Sequence, residues 1–201
     1  RTRPSPKMSF KRAGRTCYKS HDRITNDSAT NFIKTLIKSG HESVLEHGYI
    51  TIEIKEVSRA LTHQLVRHRL CSFSQESQRY VLAESEITGL FDYVTPESIR
   101  NSTILRTDYD NLMASINCFY KKAIEKGVKR EDARYILPNS CTTNIVMSCN
   151  IRQLRLMMKL RLDLHAQWEI RELFKGVYDE IIKEYPECGV LFEDLIKLRD
   201  K

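Results

Sequence analysis

Apolar residues at Phe32, Ile33, Leu36 and Ile37 recur at the spacing of one helix face, and Gly40 stands where such a helix would stop. The period then changes. In YITIEIKEV, Ile50, Ile52 and Ile54 alternate with Thr51, Glu53 and Lys55, which predicts a half-buried strand. SRALTHQLVRHRL returns to helical spacing, with Ser58 as N-cap and Val57, Ala60, Leu61 and Leu65 as its apolar stripe. A loop or short strand leads on to RYVL, and positions 84–103 are mixed and turn-rich. A long helix is predicted over 104–126, stopped by Gly127, and a short one in REDARYIL, bounded by Pro138. TTNIVMSCN reads as a second strand. Helices follow over about 150–163 and 166–185, with a terminal one near 188–199. Helices dominate and the strands are not spaced evenly between them, so the pattern predicts an α+β fold rather than a doubly wound sheet.

A chain of 201 residues with 41% hydrophobic and 29% charged positions can bury a core without staples. No apolar run reaches the length of a membrane span, and no secretory h-region is visible. The start, RTRPSPKMSFKRAG, is basic and proline-bearing. Residues 1–12 are read as a disordered or tag-derived start, and 13–201 as the domain. Six cysteines contain no C-x-x-C pair, which suits a reduced, cytoplasmic protein. The spacing of His63, His68 and Cys71 fits no common zinc pattern, so no metal is expected. The net charge of +7 favours polyanionic partners, either nucleic acid or phosphate-bearing nucleotides and cofactors.

Three arginines, a histidine, three serines and two glutamines crowd into RHRLCSFSQESQRY at 67–80, with no glycine among them. The chain has neither a G-x-G-x-x-G nor a P-loop, so any phosphate must be held by guanidinium groups, hydroxyls and backbone N–H groups. Gln64 and Arg67 lie three apart on the predicted helix and could share a ligand. Arg67 and Arg69 would point to different sides of it, and Arg79 offers a bidentate fork. On the helix beginning near Asn150, Arg161 falls on the same face as Leu154, Met157 and Met158. An arginine on an inner stripe needs a carboxylate such as Glu169, a subunit interface or an anionic ligand. His165 and Trp168 continue that face, while Arg152, Arg155 and Lys159 are expected toward solvent.

RHRLCSFSQESQRY closely resembles the signature of the flavin-dependent thymidylate synthases: Arg-His-Arg, two residues, Ser, then Ser-x-Arg. GRTCYKS, GHESVLEH, REDARYILP, CNIRQL and LRLDLHAQWEIR occur in that family's order, so the resemblance covers about 13–185. It implies a helix-rich single α+β domain with a small, mostly antiparallel sheet, assembled as a homotetramer with shared active sites. It also implies reductive methylation of dUMP to dTMP without a cysteine nucleophile. Methylenetetrahydrofolate would be the carbon donor and NADPH-reduced FAD the hydride donor, and no nucleic acid is expected as partner. By this resemblance Arg67, His68 and Arg69 form the FAD-binding triplet, with Ser43, Gln75, Asn150 and Arg152 as further flavin contacts. Gln64, Arg67, Gln75, Glu76, Ser77, Gln78, Arg79 and Arg134 match dUMP contacts, and Arg161 matches the arginine that ionises uracil N3. The sequence departs from the family at Gln75, where some members carry Glu, and at Leu156, where members often have Asn or His. It is also short before GRTCYKS.

Overall fold

The computed structural model describes residues 28–83 and 89–200. The basic start and the GRTCYKS block lie outside the described residues. The elements are, in chain order, α1 (Ser28–Lys38), a 3-10 turn (Glu42–His47), β1 (Tyr49–Ser58), α2 (Arg59–Leu65) and β2 (Cys71–Gln75). Then come α3 (Glu97–Arg100), α4 (Thr103–Glu125), α5 (Arg130–Ala133), a 3-10 turn (Arg134–Ile136), β3 (Thr142–Asn150) and α6 (Ile151–Arg161). The chain closes with α7 (Trp168–Glu184), 3-10 turns at Pro186–Leu191 and Glu193–Leu195, and α8 (Ile196–Arg199). The three strands form one sheet in the order β1-β3-β2, which bears out the α+β expectation. No helix among the described residues is long and apolar enough to cross a membrane.

The caps explain most element boundaries. Gly40 takes φ 72° after α1, His41 N–H reaches Leu36 O, and Gly40 N–H reaches Ile37 O. That pair of bonds is a Schellman cap, and it needs a residue at ease in the left-handed region. Gly127 repeats it after α4 at φ 82°, with Val128 N–H to Ala123 O and Gly127 N–H to Ile124 O. Ser58 caps α2 through Leu61 N–H, and Asn150 caps α6 through Gln153 N–H at 2.8 Å. In β1 the predicted alternation holds, with Ile54 buried and Thr51, Glu53 and Lys55 exposed.

Two boundaries differ from the sequence reading. The helix predicted through Leu70 ends at Leu65, because Arg67 N–H turns back to Gln64 O and Cys71 already belongs to β2. The predicted terminal helix is interrupted at Phe192, which leaves helical geometry at φ -129° and is fully buried, so only Ile196–Arg199 is α-helical.

The chain falls into two compact units. Among the described residues, one comprises 28–52, 68–72 and 148–200. Its core joins Leu154, Met157 and Met158 of α6 with Ile170 and Phe174 of α7, and includes Leu45, Leu191 and Phe192. The other comprises 53–67, 73–83 and 89–147. Its buried residues include Leu61, Leu65, Tyr120, Ile145 and Met147, and a cluster of Phe91, Met113 and Cys141. Gly127→Ala forces an L side chain into the left-handed cap. It is expected to lower stability by about 1 kcal/mol, read as a lower midpoint in urea denaturation, and an unchanged midpoint would contradict the cap assignment.

Candidate functional site

In the first unit the candidate residues gather on α6 and the segments packed on it. Asn150 is its N-cap, and because Oδ1 accepts the Gln153 N–H, the amide Nδ2 is left over for another acceptor. Arg152, in the first turn of the helix, is paired with Glu46 of the 3-10 turn. Ser43 lies in that same turn with an exposed side chain. Arg161, the last residue of α6, is half-buried, and its Nε–H donates to His68 Nε2 at 3.0 Å. The partner found among the described residues is thus an imidazole, where the sequence left open a carboxylate such as Glu169, a subunit interface or an anionic ligand. His68 is buried. Its burial and, second, the Arg161 charge hold its pKa below the usual histidine value. Arg69 is exposed, with no side-chain partner among the described residues. Leu156 is 47% exposed, so the family's polar position is here an outward-facing apolar one.

Arg155 corrects the sequence reading. It was expected toward solvent with Arg152 and Lys159, yet it is fully buried. Its guanidinium grips Asp194 through both carboxylate oxygens at 2.9 and 2.8 Å, reaches Glu42 at 3.4 Å and bonds to Leu191 O. The signal was present but overlooked: Arg155 lies four residues after Ile151 and three before Met158, both buried. Burial alone would raise the Asp194 pKa, but the hydrogen bond and charge of Arg155 outweigh it and hold the carboxyl below 3.8. A carboxyl depressed in the folded state stabilises the fold above its unfolded pKa, and that contribution is lost as pH falls through the folded value. His165 and Trp168 do not continue the Arg161 face, because α6 ends at Arg161. His165 sits on the connection to α7, beside Asp163 at 2.8 Å.

In the second unit, Gln75 donates its amide to Thr62 Oγ1 at 3.0 Å and, more weakly, to Thr143 Oγ1 at 3.5 Å. Both threonines are buried, so two hydroxyls hold the side chain that departs from the family pattern. Glu76 Oε2 accepts from the backbone N and side-chain Nδ2 of Asn144 at 3.4 and 3.3 Å. Asn144 Oδ1 in turn accepts the N–H of Glu56, whose φ of 57° is strained for a non-glycine residue. Ser77 Oγ accepts the Arg79 N–H, and Gln78 makes a long contact with the Cys141 thiol. Arg79 pairs with the Glu131 carboxylate at 3.2 Å, while Arg134 Nε donates to the Glu131 carbonyl at 3.1 Å. Glu131 thus brings two guanidinium groups together, a role nothing in its local sequence signals. Gln64 is half-buried on α2 and Arg67 is exposed beyond its end, so the two do not share one helical face as expected.

Burial pushes the Cys141 and Cys149 thiols up to about 11 and about 12, which leaves little thiolate at neutral pH. Among the described residues, no group of three or more His, Cys, Asp or Glu could hold a metal ion.

These clusters gather guanidinium forks, amides and hydroxyls, the donors an anion needs, without a glycine cradle. The sequence model of the thymidylate synthase complementing protein family matches residues 1–187. A flavin-dependent thymidylate synthase from Pyrococcus furiosus is 40% identical over 164 residues, covering 82% of this chain and 67% of its own. One from Geobacter sulfurreducens is 37% identical over 199 residues, covering 92% and 84%. The fold is similar to that of thymidylate synthase X from Helicobacter pylori, crystallised with FAD and dUMP. That match has a TM-score of 0.74 and 28% identity, and covers 96% of this chain and 95% of that one. The chain belongs to the flavin-dependent thymidylate synthase family.

Asp194→Asn takes the bidentate anion from a buried guanidinium and is expected to cost about 3 kcal/mol. Urea denaturation measures it, and a loss below about 1 kcal/mol would show the pair to behave as an exposed one.

Proposed function

We propose that this chain converts dUMP to dTMP, with methylenetetrahydrofolate as carbon donor and NADPH-reduced FAD as hydride donor. The observation that carries the reading is Arg161. It is half-buried and spends only its Nε–H, on a neutral imidazole. Its Nη1/Nη2 fork has no partner among the described residues. A guanidinium in such surroundings stabilises an anion strongly and does not give up its own proton. Set against the uracil ring, it favours the N3-ionised form, and the electron density gained at C5 replaces what a cysteine adduct would otherwise supply.

The donors of the first unit fit a diphosphate-bearing flavin. Arg69 is unpaired among the described residues, Ser43 presents an exposed hydroxyl, Asn150 has amide hydrogens to spare, and Arg152 is steadied by Glu46. These residues and His68 would hold FAD, whose reduced ring supplies the hydride; by family resemblance Arg67 and Gln75 contribute too. The other substrate contacts are assigned by family resemblance. Arg79 and Arg134, gathered on Glu131, offer two forks for the dUMP phosphate, and Gln64, Arg67, Glu76, Ser77 and Gln78 complete the set by resemblance. Gln75 cannot act as an acid, and its amide, fixed by Thr62 and Thr143, is confined to hydrogen bonding. The active form is a cytoplasmic homotetramer with shared sites.

Two experiments test this reading. Purified protein should carry a bound-flavin spectrum and form dTMP from dUMP, methylenetetrahydrofolate and NADPH. Arg161→Lys should keep the flavin and lose about 100-fold or more of the turnover, because a point charge does not replace the planar fork. Near wild-type turnover in that variant would contradict the assignment. Arg79→Ala should raise KM for dUMP about tenfold with the flavin absorbance retained. Loss of flavin with an unchanged KM would mean that the two ligands have been exchanged.

A further inference from the structure

An arginine Nε–H can donate a hydrogen bond but cannot accept one, so the 3.0 Å contact between Arg161 and His68 has a single polarity. Arg161 donates and the His68 Nε2 lone pair accepts. It follows that His68 is neutral and carries its proton on Nδ1. Protonation at Nε2 would set two donors against each other beside a fixed positive charge. Burial of the ring and the Arg161 charge both disfavour the imidazolium, and the contact itself excludes the neutral Nε2–H tautomer.

A neutral partner has a chemical consequence. A carboxylate at this place would take the side edge of the guanidinium with two hydrogen bonds and cancel its charge. An imidazole accepts one N–H, fixes the plane of the group and leaves its delocalised charge uncancelled and its outer fork free for another acceptor. The same histidine is a flavin residue by family resemblance, and both uses cannot draw on one nitrogen.

We propose that His68 is the positioning residue for Arg161: its Nε2 lone pair sets the guanidinium plane and frees the Nη1/Nη2 fork for the uracil of dUMP, and only its Nδ1–H is left for the flavin. The identity of the fork's target rests on the function proposed above; the tautomer and the orientation do not.

Two substitutions separate the two ring nitrogens. Glutamine carries its polar end where the imidazole carries Nε2, and asparagine where it carries Nδ1. His68→Gln should keep an acceptor for Arg161 but lose the Nδ1–H donor, so its kcat should fall less than that of His68→Asn. His68→Asn should lose that acceptor and lower kcat about 10- to 100-fold. Flavin retention, read as bound-flavin absorbance after gel filtration, should follow the opposite order. Equal losses of kcat in the two variants, or the larger loss in His68→Gln, would overturn the proposal. A second readout needs neither activity nor stable variants. In the 15N-labelled wild-type chain without ligands, His68 should show a protonated Nδ1 and a bare Nε2 at neutral pH. The Nε2–H tautomer or an imidazolium would overturn the proposal. A wild-type chain that forms no dTMP yet shows the Nδ1–H tautomer would sink the proposed function and uphold the positioning.

Discussion

A guanidinium keeps its charge and can only donate, so wherever one leaves water the protein must supply acceptors. Helix α6 carries two such groups toward its inner side, and they are satisfied in opposite ways. Arg155 is fully buried and is met by the carboxylates of Asp194 and Glu42 and by a carbonyl. Arg161 is half-buried and is met by one neutral nitrogen of His68. The first arrangement neutralises a charge and ties α6 to the C-terminal segment. The second leaves a charge available. The difference between a structural arginine and a working one lies in the partner rather than in the helix.

Within the first unit the other candidate residues depend on the same helix. Its cap is Asn150, its first turn holds Arg152 against Glu46, and the turn that contains Ser43 packs on it. The Arg155 clamp therefore does more than stabilise. It fixes the axis along which Asn150, Arg152 and Arg161 are set out. The second unit shows the same economy: Glu131 holds Arg79 by its carboxylate and Arg134 by its carbonyl, and two buried threonines fix Gln75. Forks and amides held by protein partners cost less to order on binding.

Local chemistry was legible in the sequence. Ser58 and Asn150 as caps, Gly40 and Gly127 as stops, and the alternation of β1 each depend on a few neighbouring residues, and each was found where the pattern placed it. The motif blocks carried the family, and the site residues could be nominated from them. What stayed hidden depends on distant partners. Nothing punctuates the chain after Leu65, so the end of α2 is decided by the strand that begins at Cys71 rather than by any nearby glycine or proline. The spacing of Arg155 from Ile151 and Met158 points inward, but its partner, Asp194, lies 39 residues further on. The His68–Arg161 bond spans 93 residues, and spacing alone leaves a carboxylate, a subunit interface and an anionic ligand open.

The central claim is that a charged, oriented Arg161 activates the uracil ring while flavin supplies the hydride. Tritium release from dUMP labelled at C5 tests it most directly, since that proton leaves only when carbon is joined at C5. The account predicts release that requires methylenetetrahydrofolate and reduced flavin in the wild-type chain and is lost when Arg161 is replaced. Release that persists without Arg161, or none from a wild-type chain fully loaded with flavin, would contradict it.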